Sequence, residues 1–255
     1  MGSVTLSDDD LTRFARHIVL KEIGGSGQIR LRNASVAVVG AGGIGSPALQ
    51  YLAAAGIGRI IVIDDDVVEL SNLQRQTLFA TGDVGAAKTD AAAAALNRID
   101  PDTVIERRAI RIDASNAIDL LRGTDVVLDG SDNFATRLAV ADAALALRIP
   151  LVSAAVSEFE GQLAVYRGWE ADKPCYRCFV GTDPEREGVS CSEIGVLGAM
   201  AGVMGSLAAL EAIRAIVPFG EDSVGKLVLA DALMLRFRTL TMAKDPGCLA
   251  CRDAA

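Results

Sequence analysis

Apolar and polar segments alternate along the first 150 residues in a way that predicts strands and helices in succession. Short runs rich in valine and isoleucine, typical of strands buried on both faces of a sheet, occur at 35–39, 60–63 and 126–128. Alanine-rich segments with helical spacing lie at 86–98 and 134–147. Strands that alternate with helices are typical of a parallel sheet covered on both faces. We therefore expect an α/β fold with a doubly wound, mainly parallel sheet.

The pattern changes after residue 150, where shorter strands and paired cysteines replace the regular alternation. We expect antiparallel strands to extend the sheet in this part. The apolar segment 194–210 is short for a membrane span and is bracketed by Glu193 and Glu211, so a buried helix is the preferred interpretation. Because no repeat or low-complexity linker divides the chain, residues 1–255 are expected to form one domain.

Composition and charge narrow the class of protein further. The chain has 255 residues, of which 51% are hydrophobic, so a large core is expected. A formal net charge of −8 argues against nucleic acid as the main partner, because neutralising phosphates needs a basic face. The first residues show no cationic segment followed by an apolar run, so we expect a cytoplasmic protein with no membrane partner. In that setting cysteines are thiols or metal ligands before they are disulfides.

A glycine motif lies directly between a predicted strand and a predicted helix. Gly40, Gly42 and Gly45 have the G-x-G-x-x-G spacing, and Asp64 follows at the end of the next strand. The glycines let the backbone approach a phosphate, the helix N-terminus supplies amide donors, and the acid can accept from ribose hydroxyls. A plain glycine turn is the alternative. The same motif serves NAD, FAD and adenylating enzymes, so it indicates a nucleotide site without naming the reaction.

Several cations lie where a bound phosphate would favour them. Ser71 has the spacing of a helix cap, which would place Arg75 in a first helical turn, and Lys88 begins the next predicted helix. Cations are disfavoured at helix N-termini unless an anion is held nearby. Arg13 and Arg16 share one face of a predicted N-terminal helix. Each alone is ordinary surface charge, but together they could surround a nucleotide with positive charge.

The same residues suit one kind of chemistry, the attack of a carboxylate on the α-phosphate of ATP. Both reactants are anionic, so the catalyst must neutralise charge, and an ionised carboxylate needs no general base. The single histidine, His17, lies far from the glycine motif in sequence. Asp129 and Asp132 flank the end of the strand at 126–128, where a carboxylate could hold Mg²⁺ or could simply form a turn.

Four of the five cysteines form two C-x-x-C pairs, Cys175 with Cys178 and Cys248 with Cys251. Two such pairs in one chain indicate a tetrahedral zinc site with four cysteine ligands, which is structural because all four positions are filled by protein. A redox-active pair is the alternative for either one alone. Cys191 is left over, as a reactive thiol or as a small buried residue.

Taken together, these motifs resemble the MoeB/ThiF/HesA family of ubiquitin-activating-like adenylyltransferases, with a slight lean toward MoeB-like members. The residues that carry the resemblance, in chain order, are Arg13, Arg16, Gly40-Ala41-Gly42-Gly43-Ile44-Gly45, Asp64, Asp66, Ser71-Asn72-Leu73-Gln74-Arg75-Gln76, Lys88, Asp132-Asn133 and the two cysteine pairs. The resemblance covers nearly the whole chain. It implies a Rossmann-like fold with a four-cysteine zinc knuckle, and ATP-dependent adenylation of the C-terminal glycine of a ubiquitin-like sulfur carrier, with release of pyrophosphate.

The resemblance also implies roles for individual residues. Those expected to bind ATP and Mg²⁺ are Gly40, Gly42, Gly43, Gly45, Asp64, Asp66, Asn72, Gln74, Arg75, Lys88, Asp132 and Asn133. Those expected to act in catalysis are Arg16, Arg75, Lys88, Asp132 and Cys191. Residues 1–30 would form a helical arm, 31–150 a nucleotide-binding half, and 151–255 a carrier-binding and zinc half.

Partners follow from the same resemblance. We expect a homodimer in which Arg16 reaches the partner's site, a carrier protein ending in Gly-Gly, and a separate sulfurtransferase as a possible sulfur source. Molybdopterin and thiamin pathways share all the motifs, so the particular carrier stays open. Two alternatives also stay open: an NAD-dependent oxidoreductase that uses the same glycine loop, and a non-catalytic zinc-bound scaffold.

Overall fold

An eight-stranded sheet runs through the protein in a computed structural model, which describes residues 5–181 and 195–252. The strands follow one another across the sheet in the order β3-β2-β1-β4-β5-β6-β7-β8. Their bounds are β1 Ser35–Val39, β2 Arg59–Ile63, β3 Val104–Arg108, β4 Val126–Asp129, β5 Leu151–Ser157, β6 Glu160–Tyr166, β7 Lys226–Asp231 and β8 Arg236–Thr241. The strands predicted at 35–39, 60–63 and 126–128 are confirmed to within one residue at each end.

Strands β1 to β5 form the parallel half of the sheet. The central strand β1 pairs with β2 on one side and with β4 on the other, so Val38 has Val62 and Leu128 as its neighbours. The chain therefore builds outward from β1 in one direction and then returns to build in the other. Ligands in such folds bind where the order reverses, beyond the carboxyl ends of the strands.

Side chains alternate across β1 and feed two separate cores, as the two-residue period of a strand requires. Val36 and Val38 join a core with Leu49 and Met204, whereas Ala37 and Val39 face a second core on the other side of the sheet. Helices thus cover both faces, and the predicted doubly wound architecture is confirmed. The helices are α1 Asp8–Arg13, α2 Ala15–Ile18, α3 Gly24–Asn33, α4 Gly45–Ala54, α5 Lys88–Ile99, α6 Ala117–Leu121, α7 Phe134–Leu147, α8 Tyr176–Val180 and α9 Gly198–Ile216.

The second half of the sheet is antiparallel, as predicted. β5 and β6 form a tight hairpin, β7 adds to β6, and β8 closes the edge. Every residue of β8 is exposed, so this strand presents a free face to solvent. The sequence analysis missed β8, because Arg236–Thr241 buries none of its side chains and so carries no apolar run that would mark a strand.

Helix α9 is the one segment among the described residues that is long and apolar enough to cross a membrane by length and composition. Met200, Met204 and Ala208 are buried in it, and it packs on α4 and on strands β5 and β6. This supports the predicted core helix.

The N-terminal segment begins with a helix that is capped by Ser7. The Ser7 hydroxyl accepts from the backbone N–H of Asp10, and the Asp10 carboxylate accepts from the Ser7 N–H, at 3.1 Å each. Arg32 then ties the arm to the sheet domain through Asp10 at 2.7 Å and Asp100 at 2.6 Å. The side chains of Arg32, Asp10 and Asp100 are all largely buried, so the two ion pairs hold the arm against the sheet domain.

Candidate active site

A cleft of about 340 Å³ opens beyond the carboxyl ends of β1, β2 and β4. This is the position that the reversal of strand order predicts, and the volume is that of a small-ligand site. The cleft brings together most residues selected from the sequence. Predicted site residues that line it are Gly40, Gly42, Gly43, Asp64, Asp66, Arg75, Lys88, Asp132 and Asn133.

The glycine loop has the geometry that phosphate binding needs. Gly40 turns the chain with a φ of +85°, a conformation that favours glycine. A Cβ on Gly45 would lie 1.9 Å from the carbonyl oxygen of Gly40, so this glycine lets α4 pack against the turn. Gly45 itself does not line the cleft. Within the part of the chain that the structure describes, the backbone N–H groups of Gly42 and Gly43 have no protein acceptor, which leaves them available to an anion at the start of α4.

Asp64 follows the last residue of β2 and locks the glycine loop to the turn that comes next. One carboxylate oxygen accepts from the N–H of Ala41 at 2.7 Å, and the other accepts from the N–H of Asp66 at 2.9 Å. Burial raises the pKa of the Asp64 carboxyl, and the charge of Lys88 and the two amide donors oppose that rise without cancelling it. The remaining lone pairs of this carboxylate can accept from ligand hydroxyls.

Lys88 begins α5 as predicted, and its side chain is almost completely buried. Its Nζ lies 2.8 Å from a carboxylate oxygen of Asp66, which is itself two-thirds exposed. The cation is therefore held at the wall of the cleft by a flexible surface partner. An anionic ligand could take over that contact, because the displaced Asp66 carboxylate is mostly exposed and would return to water.

Arg75 lines the cleft, but the local structure around it differs from the prediction. The turn is a short 3-10 helix at Leu70–Asn72, and the Glu69 N–H donates to the Asn72 side chain at 3.3 Å. Ser71 therefore does not cap a helix, and Arg75 follows the turn instead of standing in a first helical turn. Its guanidinium donates to the carbonyl of Ser71 at 3.2 Å.

A buried arginine, Arg137, holds the loop after β4 in place, and the sequence analysis missed it. Its guanidinium donates to the carbonyls of Ser131 and Ala154 and lies 3.7 Å from Asp129. Asp129 also accepts from the Ser131 N–H at 3.0 Å. Asp129 is thus a structural turn residue, as the alternative interpretation proposed, whereas Asp132 stays exposed at the rim of the cleft.

Other predicted site residues are not brought to the cleft. Asn72 holds the 3-10 turn, and the backbone of Gln74 lies against Gly198, with both side chains absent from the lining. Arg13 donates to the carbonyl of Ile99 at 2.8 Å, at the far end of α5 and about 16 Å along the helix from Lys88. The expectation that Arg13 surrounds the nucleotide of its own chain is wrong.

Arg16 and Cys191 were also predicted to act in catalysis. Arg16 is exposed and does not line the cleft of its own chain, so only a role in the site of a second copy remains to be proposed. Cys191 lies outside the described residues, and its role stays a prediction.

Gln76 is the lining residue that sequence reasoning should have found. It follows Arg75 directly, is 3% exposed, and carries a buried amide oxygen without a hydrogen-bond donor among the described residues. Gln76 was among the residues that carry the resemblance, but it was given no role. Asp65, Ile44 and Arg111 also line the cleft, with no signal that separates them from ordinary turn or loop residues.

A second cluster lies at the other end of the sheet. The four sulfur atoms of Cys175, Cys178, Cys248 and Cys251 lie within 4.8 Å of one another. Neighbouring sulfurs are separated by 3.5 to 3.7 Å. A tetrahedral zinc with bonds of about 2.3 Å requires sulfur–sulfur edges of about 3.8 Å. The donor set and its spacing therefore fit zinc, and the distances are too long for disulfides.

Burial shapes the chemistry of these thiols. It raises the pKa of Cys175 and raises the pKa of Cys251 to about 11. Four thiols so placed favour a cation that would hold them as thiolates. Cys175 precedes α8, which Arg177 anchors to α7 through two contacts of 2.7 Å with Asp142. The cluster fastens the end of the chain to its middle.

These features together define a nucleotide-binding α/β protein: a cleft where the strand order reverses, a glycine loop whose amides are available to a ligand, and cations beside it. Residues 14–250 match the ThiF family. The chain belongs to the ThiF family, a family that uses ATP, which confirms the resemblance seen in the motifs.

Relatives and solved structures agree with this assignment. The chain is 45% identical to a sulfur carrier protein adenylyltransferase of Thermus thermophilus, over 96% of this chain and 92% of that protein. It is 43% identical to the SAMP-activating enzyme E1 of Haloferax volcanii, over 98% and 92%. The fold superposes on E. coli MccB in complex with MccA-N7isoASN with a TM-score of 0.82, at 26% identity, covering 94% of this chain and 74% of that one.

Proposed function

We propose that this protein is an ATP-dependent adenylyltransferase that acts on the C-terminal glycine carboxylate of a ubiquitin-like sulfur carrier. The observation that carries the proposal is the combination of Arg75, Lys88 and the free amides of Gly42 and Gly43 around one cleft. The names of the relatives give the substrate class, since they act on a sulfur carrier protein or activate SAMP.

The reaction follows from the charges in the cleft. A carboxylate oxygen of the carrier attacks the α-phosphorus of ATP, the bond from that phosphorus to the bridging oxygen breaks, and pyrophosphate leaves with the electron pair. An acyl-adenylate remains. Arg75 and Lys88 hold the phosphates and neutralise the charge that accumulates on them, while the amides of Gly42 and Gly43 fix their position. Asp64 accepts from the ribose.

The ionisable groups of the described lining suit this chemistry better than hydride transfer. The cleft wall contains no histidine, tyrosine or cysteine among the residues described, and its Lys88 is paired with Asp66. His17 is instead bound to Gln28, with 3.1 Å between its Nδ1 and the amide oxygen. A hydride-transfer enzyme would need a proton donor or acceptor beside its substrate. A carboxylate that is already ionised does not.

Magnesium fits the acidic side of the same cleft. The carboxylates of Asp64, Asp65 and Asp66 lie within 4.8 Å of one another, and Asp132 lines the cleft from the loop after β4. Without a divalent cation these groups would repel a triphosphate. Asp132, with the exposed acids of the turn, would hold Mg²⁺, which supplies charge neutralisation on the phosphates when bound.

Zinc in the four-cysteine cluster would be structural. All four positions are protein ligands, so the ion has no open position for a substrate. It would stabilise the C-terminal half of the molecule and take no part in the transfer.

The two halves of the sheet have separate tasks in this proposal. Residues 31–150 bind the nucleotide, 151–255 receive the carrier and hold zinc, and 1–30 form an arm. The exposed apolar side chains of the β7–β8 hairpin support a docking role for the second half. They are Leu233, Met234, Leu235, Phe237 and Leu240, all at least 49% exposed. The protein would act in the cytoplasm with a separate sulfurtransferase.

The protein would work as a homodimer in which Arg16 completes the partner's cleft. Val19 and Leu20 are exposed next to Arg16, which supports a covered N-terminal arm. Refolding Arg16→Ala with Arg75→Ala in equal amounts tests this, because half the dimers would then be mixed and each would have one intact site. We expect about a quarter of wild-type activity. Activity no higher than that of either variant alone would place Arg16 in its own site or in none.

The proposed activity is tested by pyrophosphate–ATP exchange. Exchange should require a carrier ending in Gly-Gly, and Arg75→Ala should lower it by about 10²–10³-fold. Arg107→Ala is the matched control, since that arginine is exposed and pairs with Asp90 away from the cleft. Running molybdopterin-pathway and thiamin-pathway carriers side by side identifies the pathway. No exchange with any carrier, together with saturable NAD(H) binding, would favour the oxidoreductase alternative.

A further inference from the structure

The N-terminal arm is anchored to the far ends of the two helices that begin at the cleft. α4 begins at the glycine loop and α5 begins at Lys88, whereas the arm contacts the C-terminal end of each helix. Arg13 donates to the carbonyl of Ile99, the last residue of α5, and Phe14 packs against Gly56 beyond the end of α4. α4 has 10 residues, so these contacts lie about 15 Å along the helix from the glycine loop. The arm is therefore remote from the cleft of its own chain.

Phe14 is the first anchor of the arm, and it is 2% exposed. Gly56 has a φ of +79°, the left-handed conformation that commonly ends a helix. The Phe14 ring occupies the space that a side chain at this glycine would need, since a Cβ there would lie 2.5 Å from the ring. The guanidinium of Arg32, which also forms the two ion pairs of the arm, covers the ring at 4.8 Å from its centroid. The ring is thus enclosed by groups that the fold has already fixed.

A second anchor follows one helical turn later, at His17. Gln28 of α3 is completely buried, and its side-chain nitrogen donates to the carbonyl of Ala55 at 2.9 Å. That contact fixes the orientation of the amide, so its oxygen accepts from the Nδ1 of His17 at 3.1 Å. The rings of Phe14 and His17 also stack, with their centroids 6.4 Å apart. The turn at residues 14–17 is therefore held at both ends.

Arg16 lies between the two anchors, but its own side chain is exposed. It forms no hydrogen bond or ion pair with the residues that the structure describes. Fixing the backbone on both sides of a cation lowers the entropy that is lost when the cation binds an anion. Because the anchors hold the arm at the ends of α4 and α5 that are remote from the cleft, that anion must belong to another molecule. The proposed homodimer supplies one, the nucleotide in the partner's cleft.

We propose that Phe14 is a positioning residue: together with His17 it fixes the turn from which Arg16 reaches the nucleotide of the partner subunit. This inference rests on the proposed function and its homodimer, and it identifies the residues that hold the arginine in place. It also gives a role to the arm contacts, which otherwise serve only the ends of two helices. Loss of Phe14 should therefore impair the partner's site and leave the cleft of its own chain intact.

Mixed dimers test this division between the two subunits. As a homodimer, Phe14→Ala should lower pyrophosphate exchange by about 10- to 100-fold, because a misplaced catalytic group is costly. A dimer of one Phe14→Ala chain and one Arg75→Ala chain, isolated through two different affinity tags, has one intact cleft that is served by one intact arm. We expect it to recover about half the exchange of the wild-type dimer. The double variant Phe14→Ala/Arg16→Ala should be no less active than Arg16→Ala alone, since Phe14 acts through Arg16.

Two further variants complete the test. Thr12→Ala is the matched control on the same arm, because the Thr12 hydroxyl donates to the carbonyl of Asp8 at 3.0 Å within α1. It should keep the exchange activity of the wild type. His17→Ala, at a partly exposed residue, replaces Phe14→Ala should the latter not fold. It should show the same recovery in a mixed dimer, from a smaller loss.

The outcomes separate this inference from the proposed function. If the mixed dimer with Phe14→Ala stays inactive while the one with Arg16→Ala recovers, Phe14 supports its own cleft and the inference is overturned. The inference also fails if the Phe14→Ala chain forms no mixed dimer although the Arg16→Ala chain does, since Phe14 would then serve assembly. Recovery in neither case refutes the role of Arg16 in the partner's site. No exchange by the wild type with any carrier ending in Gly-Gly would instead refute the adenylation itself.

Discussion

The nucleotide cleft and the cysteine cluster are built on opposite principles. The cleft keeps donors and cations free or loosely paired: the Gly42 and Gly43 amides have no protein acceptor among the described residues, and Lys88 is held by a largely exposed Asp66. The cysteine cluster does the reverse. Its four sulfurs are close to one another and three of the four residues are buried.

This difference separates function from stability in one chain. Groups that stay available to a ligand contribute little to folding, because their interactions are completed only when the ligand binds. Groups that satisfy one another around a metal contribute to folding and leave nothing for a substrate. Changes in the cluster should therefore lower stability, and changes in the cleft should lower activity.

The largest effect is expected from Cys251→Ser, which removes a buried ligand. Loss of a structural metal site is among the changes that cost about 4 kcal/mol or more of unfolding free energy. The loss should appear in thermal or denaturant unfolding, together with loss of bound zinc. ATP affinity of the protein that remains folded should stay unchanged. A strong fall in that affinity would show that the cysteine cluster and the nucleotide cleft depend on each other.

Lys88→Met tests the cleft side of the comparison. We expect pyrophosphate exchange to fall by about 10²–10³-fold, equal to about 3–4 kcal/mol of transition-state stabilisation, because a placed cation is lost. The unfolding midpoint should hardly move, since the partner Asp66 is mostly exposed. Arg107→Ala again serves as the exposed control. A large drop in stability with a small drop in exchange would make Lys88 a structural residue.

Gly45→Ala should affect both properties, because this glycine belongs to the fold and to the loop. Its new Cβ would lie 1.9 Å from the Gly40 carbonyl oxygen, so the turn or α4 must shift. We expect a loss of about 2 kcal/mol in unfolding free energy, with weaker ATP binding. Gly82→Ala is the control, since a Cβ there meets nothing within 4 Å. Equal unfolding free energies and equal ATP binding of the two variants would show that Gly45 is not required for the glycine loop.

The smallest effect concerns the pH dependence of stability. Burial raises the folded-state pKa of Asp64 above its ordinary 3.8. At a pH between the ordinary pKa and the raised one, the folded state therefore binds more protons than the unfolded state. Stability from this group is therefore higher at low pH and falls as the pH rises through the window. Asp64→Asn removes that dependence. Relative to the wild type, the variant should become more stable as the pH rises above the ordinary pKa of the carboxyl in denaturant titrations, and the opposite trend would contradict the assigned direction.

The sequence predicted the cleft well where local geometry is decisive. Gly40 and Gly45 were identified by their spacing between a strand and a helix, and the structure shows the local reason, a left-handed turn at Gly40 and a close helix contact at Gly45. Lys88 was identified because it begins a helix. The turn at Leu70–Asn72 was predicted wrongly, because Ser71 satisfies the spacing of a cap but the competing side chain of Asn72 holds the turn instead.

Sequence by itself determined the alternation of strands and helices, the glycine loop, the charges beside it and the two cysteine pairs. Each depends on residue type and on short spacing, which the chain carries wherever it folds. Tertiary structure alone decided that Arg13 lies at the far end of α5, that Arg137 supports the loop after β4, and that Gln76 lines the cleft with an unpaired oxygen. These depend on contacts between distant segments, and packing, not spacing, decides which polar group remains without a partner.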